Sequence, residues 1–330
     1  MTSPRPLLSI VCPCFDEEAV IGLFHERLAA AVDALENLDA EVVYVDDGSS
    51  DGTLAKLNAL AESDERVRVC SFSRNFGHQI ALSAGLDHAV GDAVLMMDSD
   101  LQHPPELIGE LVAKWREGYD IVSTVRTETA DAGFAKRVSS DLFYSVWNFL
   151  SRTPLPRGAA DFCLISARVA DVVRGMREHH RFLRGILSWT GYTRAIIPYR
   201  ADERAAGQSK YTAVKMFAMA SDAILSFSSA PLRLATRVGA GITALGFLYF
   251  LWILGRNLVL GDLVPGWASL IGVTLILGGV QILFIGLIGQ YLARVFEEVK
   301  GRPMYVLKQA PPKSTRPGRG DPPSSNRRVE

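Results

Sequence analysis

Cysteine is scarce in this chain, and neither charge sign dominates it. Four cysteines among 330 residues are too few for a small domain held together by disulfides. The 35 Lys and Arg side chains nearly cancel the 36 Asp and Glu, which gives a formal net charge of −1. Because nucleic-acid-binding proteins usually carry an excess of positive charge, we expect no nucleic-acid partner.

The chain also has no long apolar run near its start. The stretch from Leu7 to Phe15 is short and is followed at once by three acidic residues, which is not the pattern of a secretory signal peptide. We therefore expect the amino-terminal part of the chain to stay in the cytosol.

Short apolar runs alternate with amphipathic segments over the first part of the chain. This order predicts an α/β domain with a mostly parallel, Rossmann-like sheet that helices cover on both faces. Ligands of such sheets bind beyond the carboxyl ends of the strands. The predicted strands are 8–13, 41–45, 67–72, 93–97 and 120–124, and the predicted helices are 18–38, 52–63, 79–90 and 104–117.

Paired acids follow two of these strands. Asp46 and Asp47 end the second strand, and Asp98 and Asp100 come directly after the fourth. Carboxylates one residue apart at a strand end can share one Mg²⁺ or Mn²⁺ ion, which prefers oxygen ligands, and Gln102 offers a third oxygen. Acidic loops are common in proteins, so the pattern alone leaves a purely structural role open.

Two segments in the last third of the chain carry no charged side chain. The first lies between Arg237 and Arg256, and the second runs from Leu263 to Ala293. About 20 apolar residues span the hydrocarbon core of a bilayer, so we predict membrane-crossing helices near 238–255 and 267–291. Two helices buried in a soluble core are the alternative.

The surrounding charges predict the orientation of this membrane hairpin. Basic residues cluster at its outer ends, whereas Arg256 and Asp262 flank the short connection. The positive-inside rule then places both chain ends in the cytosol, in a multi-pass protein of the cytoplasmic (inner) membrane. Glycines in both segments suit close helix packing, so a homo-oligomer formed through these helices is left open. The basic residues at the outer ends are Arg233, Arg237, Arg294, Lys300 and Arg302.

Two further segments flank the hairpin. Residues 210–232 mix charged and large apolar side chains, which is typical of interfacial amphipathic helices, although a packed soluble helix fits almost equally well. The last 20 residues hold five Pro, two Gly and five Lys or Arg, so we expect the end of the chain to be disordered. The predicted organisation is a cytosolic domain over 1–209, interfacial helices over 210–232, a membrane hairpin over 233–295 and a cytosolic tail over 296–330.

Four sequence elements occur in an order that resembles one enzyme family. They are VCPCFDEE at 11–18, VDDGSSDGT at 45–53, MDSDLQHPPE at 97–106 and RAAGQSKY at 204–211. With the predicted hairpin, they resemble the inverting family 2 glycosyltransferases of GT-A fold. The branch they resemble acts on polyprenyl phosphates and includes bactoprenol glucosyltransferases of the GtrB type and dolichol-phosphate mannose synthases. The resemblance extends over about residues 7–307 and identifies the cytosolic domain as the catalytic one.

The resemblance implies roles for individual residues at the donor site. The implied nucleotide-sugar contacts are Pro13, Phe15, Glu17, Asp47, Asp98 and Ser209. The implied ligands of a Mg²⁺ or Mn²⁺ ion are Asp98, Asp100 and Gln102. Where the family more usually has Val, Val and Asn, this chain has Cys12, Cys14 and Asp16, which does not affect the expected fold.

Further roles are implied at the reacting centre and at the acceptor. Arg126 and Arg137 match residues that hold the lipid phosphate, although both also fit ordinary surface charges. Asp161 matches an acid near the reacting centre, although a helix cap also fits it. The catalytic residues implied by the resemblance are Asp161, Asp100, Arg204 and Lys210, the last two in a loop that closes over the donor diphosphate.

The function implied is sugar transfer from a nucleotide sugar to polyprenyl (undecaprenyl) phosphate at the cytosolic membrane face, with inversion. The segments SRNFG at 73–77 and RFLRG at 181–185 look most like the glucosyl branch, which favours UDP-glucose. A GDP-mannose-dependent synthase of polyprenyl-phosphate mannose, or another sugar-phosphate-lipid synthase, is the alternative. A processive polysaccharide synthase would need a Gln-x-x-Arg-Trp element and more spans, and a non-enzymatic membrane component has no need for the paired acids.

Overall fold

The computed structural model of the chain describes residues 5–127, 158–200, 230–260 and 266–312. Contacts group the chain into two compact units. The first comprises 1–148, 153–215 and 302–330, and the second comprises 149–152 and 216–301. In the described ranges, the first unit carries a β-sheet with its helices, and the second carries two long helices.

The described part of the first unit contains eight strands and six α-helices. The strands are β1 (Leu7–Cys14), β2 (Asp39–Asp46), β3 (Val67–Phe72), β4 (Ala93–Met96), β5 (Ile121–Arg126), β6 (Ala159–Ser166), β7 (Arg194–Tyr199) and β8 (Leu307–Gln309). The helices are α1 (Ile21–Asp33), α2 (Thr53–Ser63), α3 (His78–His88), α4 (Ile108–Arg116), α5 (Ala167–Gly175) and α6 (Leu183–Trp189). All five strands predicted from the sequence are present.

The strands form one sheet in the order β7-β5-β6-β4-β1-β2-β3-β8. Parallel pairing joins β3, β2, β1 and β4, as the alternation of strands and helices predicts. The central strand β1 is buried along its whole length, as expected when helices cover both faces of a sheet. Helix α1 packs on this sheet through Ile21, Phe24, Leu28 and Val32, which recur at helical spacing.

Six of the eight described strands run in one direction, so the sheet is mostly parallel, as the sequence predicts, but two reversed strands make it mixed. Strand β6 runs antiparallel to both β4 and β5, and β8 runs antiparallel to β3. None of β6, β7 and β8 was predicted. Strand β8 also lies within the segment assigned to the tail, so part of that segment belongs to the sheet.

The second unit contains α7 (Ala230–Leu260) and α8 (Trp267–Val299). These helices approach each other closely at Gly239. A Cβ added there would lie 3.8 Å from the Phe284 ring. Among the described residues, only the stretch Leu277–Val299 is both long and apolar enough to be a candidate membrane span. The second predicted span therefore has a candidate helix, and the two-span hairpin stays a prediction.

Candidate active site

The carboxyl ends of β1, β2, β4 and β5 lie along one edge of the sheet, and the reversed strand β6 begins there. Met96 on β4 pairs with Cys163 on β6. Continued by two residues, this register brings Asp98 level with Asp161. The structure thus places two predicted site residues together although they are 63 positions apart in the chain.

Asp161 is held by two polar side chains. Arg184 on α6 donates from Nε and one terminal nitrogen to its two carboxylate oxygens, at 2.7 and 3.0 Å, and Gln79 donates at 3.2 Å. Burial by itself would raise the pKa of Asp161, but Arg184 and His78 hold it well below its usual range. Asp161 is therefore an anchored carboxylate, suited to orienting a substrate and poorly suited to accepting a proton.

His78 lies between the two acids. Its Nε2 is 3.4 Å from Asp98 Oδ1 and 3.5 Å from Asp161 Oδ2. Burial lowers the pKa of this imidazole, but the two carboxylates outweigh that effect and raise it to about 9. In this arrangement His78 is a cation at neutral pH, which offsets part of the negative charge at the sheet edge.

The turn after β4 gives Asp98 and Asp100 their conformation. Ser99 Oγ donates to the Pro13 carbonyl at 2.9 Å, and the Gln102 N–H donates to Asp100 Oδ1 at 3.0 Å. Leu101 has φ 64°, in the left-handed region that large apolar side chains rarely adopt. Such local strain persists where surrounding contacts hold the backbone, and it occurs often at functional sites.

The donor set at this turn fits a hard divalent cation. Asp98 Oδ1 is buried and accepts no hydrogen bond, and the His78 Nε2 lies 3.4 Å from it as an ion-pair partner. A divalent cation bound here would share this oxygen with the imidazole. In the described part of the chain, no group of three His, Cys, Asp and Glu side chains forms a metal site. Asp98 and Asp100 would therefore need further oxygens, which the Gln102 amide and a substrate phosphate can supply.

Aromatic side chains support this turn from the side of β6 and β7. The His103 Nδ1 accepts a hydrogen bond from the Asp98 N–H at 3.0 Å, and its ring stacks on Phe162 at 5.1 Å. Tyr199 contacts both rings edge-on. Burial raises the pKa of Tyr199 to about 12, with Arg126 opposing and the two acids of the turn adding.

Arg126 is positioned at the same edge. It is paired with Tyr199 in the parallel register of β5 and β7, and its side chain is exposed. Its N–H donates to the Gly158 carbonyl, so the backbone at this position is fixed. A guanidinium can hold a phosphate in a bidentate manner, and the lipid-phosphate contact of Arg126 stays a prediction.

The loop after β1 and the loop after β2 are interlocked by hydrogen bonds. Asp16 Oδ1 accepts from Ser50, the Glu17 N–H donates to Thr53 Oγ1, and the Gly52 N–H donates to Glu18 Oε2. The predicted donor contacts Phe15 and Glu17 lie on this paired structure, and Pro13 lies just before it, near the end of β1. Phe15 is 39% exposed, so its ring is available to a ligand.

The two acids at the end of β2 hold different parts of the chain. Asp46 accepts from the Ser49 N–H at 3.0 Å and from Ser71 Oγ at 2.6 Å. Asp47 accepts from the N–H groups of Phe76 and Gly77, the former at 2.7 Å. Burial raises the pKa of Asp47, and these two amides oppose the shift. Its predicted nucleoside contact stays a prediction, because the structure shows the carboxylate holding the next loop.

The structure brings together the described members of the predicted site along one edge. These are Asp98, Asp100, Gln102, Arg126, Asp161, Asp47, Pro13, Phe15 and Glu17. The others, Arg137, Arg204, Ser209 and Lys210, lie outside the described residues. The sequence predicts no site role for Gln79, His78, His103 or Arg184, because no spacing in the chain relates them to the acids they contact.

Arg184 provides a test of this geometry. Arg184→Ala should lower kcat by about ten- to a hundredfold, because charged hydrogen bonds contribute about 1.5–3 kcal/mol. Arg184→Lys should recover only part of the rate, since an ammonium lacks the two-pronged geometry. The matched control is Arg168→Ala, which removes the Arg168–Asp120 pair away from this edge. Equal effects of the two alanine variants on kcat would contradict the assignment.

Similarity to known protein families extends over both units of the chain. A family model described as glycosyl transferase family 2 matches residues 9–174, and one described as the GtrB C-terminal hairpin matches residues 230–295. The SfII prophage-derived bactoprenol glucosyl transferase of Shigella flexneri is 40% identical over 303 residues, covering 92% of this chain and 98% of that protein.

Other relatives are similar over the same extent. The prophage bactoprenol glucosyl transferase homolog of Escherichia coli (strain K12) is 39% identical, covering 92% of this chain and 98% of that protein. The uncharacterized glycosyltransferase YkcC of Bacillus subtilis (strain 168) is 38% identical, covering 92% and 93%. The crystal structure of glucosyl-3-phosphoglycerate synthase from Mycobacterium tuberculosis with Mn²⁺, UDP-glucose and phosphoglyceric acid aligns at 21% identity and TM-score 0.46, covering 67% of this chain and 78% of that one.

Proposed function

The chain belongs to glycosyl transferase family 2, and on that basis we propose that it transfers glucose from UDP-glucose to polyprenyl (undecaprenyl) phosphate. The observation that carries the proposal is its similarity, at about 40% identity over 91–92% of the chain, to proteins named bactoprenol glucosyl transferases. The similarity extends through the sheet and into the C-terminal region. The geometry at the sheet edge supports a transfer between two phosphate-bearing substrates.

The acceptor needs little activation in this reaction. The second pKa of a phosphate monoester is about 6, so the lipid phosphate is already an anionic nucleophile near neutral pH. Its oxygen forms a bond to the anomeric carbon of glucose while the bond from that carbon to the UDP oxygen breaks. This single displacement inverts the anomeric configuration and leaves UDP as the second product.

Positioning and charge therefore account for catalysis in this proposal. Arg126 and Arg137 hold the attacking phosphate, and Asp161, fixed by Arg184, orients the sugar or the acceptor. Arg204 and Lys210 interact with the leaving diphosphate, with Ser209 in the same loop. The first loop, with Pro13, Phe15 and Glu17, and Asp47 beyond β2 hold the nucleoside.

Asp98, Asp100 and Gln102 are the residues that would hold Mg²⁺ or Mn²⁺. A divalent cation bound there supplies Lewis-acid neutralisation of the departing diphosphate. The buried Oδ1 of Asp98, which accepts no hydrogen bond, supports this assignment.

The test is transfer of radiolabelled sugar by the purified full-length chain in detergent, with polyprenyl phosphate and Mg²⁺. We expect glucose transfer from UDP-glucose to exceed mannose transfer from GDP-mannose, and EDTA to abolish it. Asp98→Ala and Asp100→Ala should lose turnover while keeping the thermal unfolding temperature near that of the natural chain. Preferred use of GDP-mannose would favour the mannosyl alternative, and full activity in EDTA would reject the metal.

Variants of Arg126 test whether this side chain binds the acceptor or the donor. Arg126→Ala should raise the apparent KM for polyprenyl phosphate by about ten- to a hundredfold and change the KM for UDP-glucose little, because one charged hydrogen bond is lost at the acceptor. Arg126→Lys should recover part of the affinity. Arg116→Ala, on the far end of α4, is the charge-matched control and should change neither KM. A loss of UDP-glucose affinity in Arg126→Ala would mean that Arg126 binds the donor diphosphate and not the lipid phosphate.

The proposed membrane arrangement has two spans, near 238–255 and 267–291, with both chain ends cytosolic. The four cysteines are buried, so they provide a low background for labelling. In intact cells, a membrane-impermeant maleimide should modify Gly261→Cys, whereas Ser324→Cys should react only after the membrane is permeabilised. Modification of Ser324→Cys in intact cells would contradict this topology.

A further inference from the structure

Residues 302–312, here called the strap, are part of the first unit and supply the edge strand β8 of its sheet. Its strand β8 pairs with β3, with Leu307 opposite Phe72 and Gln309 opposite Ser71. The Ser73 N–H, just past the end of β3, donates to the Val306 carbonyl at 2.9 Å. The strap thus fixes the point at which the chain leaves β3 toward the sheet edge that carries the site.

Tyr305 anchors the strap. Its side chain is buried, and its hydroxyl donates to Asp87 Oδ2 at 2.9 Å. Its ring stacks on Phe72, with 5.1 Å between centroids and 21° between planes. Arg177 also donates to Asp87 Oδ2, at 2.7 Å, so loss of the tyrosine hydroxyl alone leaves this carboxylate paired.

The aromatic contact continues from Phe72 into the donor loop, residues 73–77. The ring of Phe76 meets Phe72 edge-on at 5.5 Å. The N–H groups of Phe76 and Gly77 donate to the carboxylate of Asp47, the residue proposed to contact the nucleoside. Two aromatic contacts and one hydrogen bond therefore connect the Tyr305 ring to Asp47.

The donor loop is closely confined on its other side by the turn after β2. A Cβ added at Gly48 would lie 2.4 Å from the Arg74 carbonyl carbon and 2.7 Å from the Asn75 nitrogen. The loop leads directly into His78 and Gln79, which contact Asp161. The strap also contacts this loop, through the hydrogen bond from the Ser73 N–H to the Val306 carbonyl.

We propose that Tyr305 is a positioning residue of the nucleotide-sugar site, acting through Phe72 and the donor loop on Asp47. The inference rests on the proposed function, because it assigns the nucleoside to the side of the site where Asp47 lies. A purely structural tyrosine would affect the stability of the whole first unit and both substrates alike. A positioning residue affects the donor side selectively.

The experiment compares three variants of the full-length chain in detergent. Tyr305→Leu removes the stacked ring but keeps apolar volume, Tyr305→Phe keeps the ring and removes the hydroxyl, and Lys308→Ala changes an exposed residue of the same strand. The measurements are the KM for UDP-glucose, the KM for polyprenyl phosphate, the Kd of UDP and hydrogen exchange at the Phe76 and Gly77 amides.

We expect Tyr305→Leu to raise the KM for UDP-glucose and the Kd of UDP by about two- to tenfold, the range for loss of one aromatic pair. The KM for polyprenyl phosphate should stay unchanged, and exchange at the Phe76 and Gly77 amides should become faster. Tyr305→Phe should restore the donor affinity, and Lys308→Ala should behave as the natural chain does.

Three results would overturn the inference. One is an unchanged Kd of UDP in Tyr305→Leu, and another is an equal rise of both KM values. The third is exchange at Phe76 and Gly77 that stays as slow as in the natural chain, which is measurable even if the leucine variant is poorly active. If the natural chain transfers no glucose, the proposed function fails; UDP binding and amide exchange still decide the role of Tyr305.

Discussion

The antiparallel placement of β6 between β4 and β5 is the constraint on which the site depends. A parallel strand in that position would bring its carboxyl end to the edge where Asp98 lies and its beginning to the opposite edge. Because β6 is reversed, its first residues reach the edge at which β4 and β5 end. Asp161 then stands level with Asp98, and α6, later in the chain, supplies Arg184 to the same point.

Charge balance explains why so many acids can share this edge. Asp98 and Asp161 would repel each other in a partly buried environment, and burial penalises each charge separately. Arg184 and Gln79 satisfy Asp161, and His78 lies between the two carboxylates. Asp98 Oδ1 accepts no hydrogen bond and faces the His78 imidazole at 3.4 Å. Arg184 and His78 thus offset part of the negative charge that these acids bring to the edge.

The loops of the site are fixed by contacts among themselves more than by regular secondary structure. The loop after β1 exchanges hydrogen bonds with the loop after β2, and Asp47 holds the loop after β3. The strap supports that third loop from the edge of the sheet through Tyr305 and Phe72. Segments far apart in the chain therefore shape one site together.

The sequence by itself determined the family and the first half of the sheet. The five early strands follow from alternating apolar runs, because periodicity is a local property of the chain. The ordered motifs identified glycosyl transferase family 2, and the family match confirms this. The acids at the ends of β2 and β4 were also evident, since their position after a strand is enough to place them at the ligand-binding edge.

Only the tertiary structure decided the direction of β6, the presence of β7 and β8, and the partners of the acids. Strand direction depends on pairing with distant strands, which leaves no periodic signal in the strand itself. Arg184 lies 23 positions from Asp161, and Tyr305 lies 218 positions from Asp87. Contacts at such separations arise when the sheet closes, so they are properties of the folded chain and not of any local stretch of sequence.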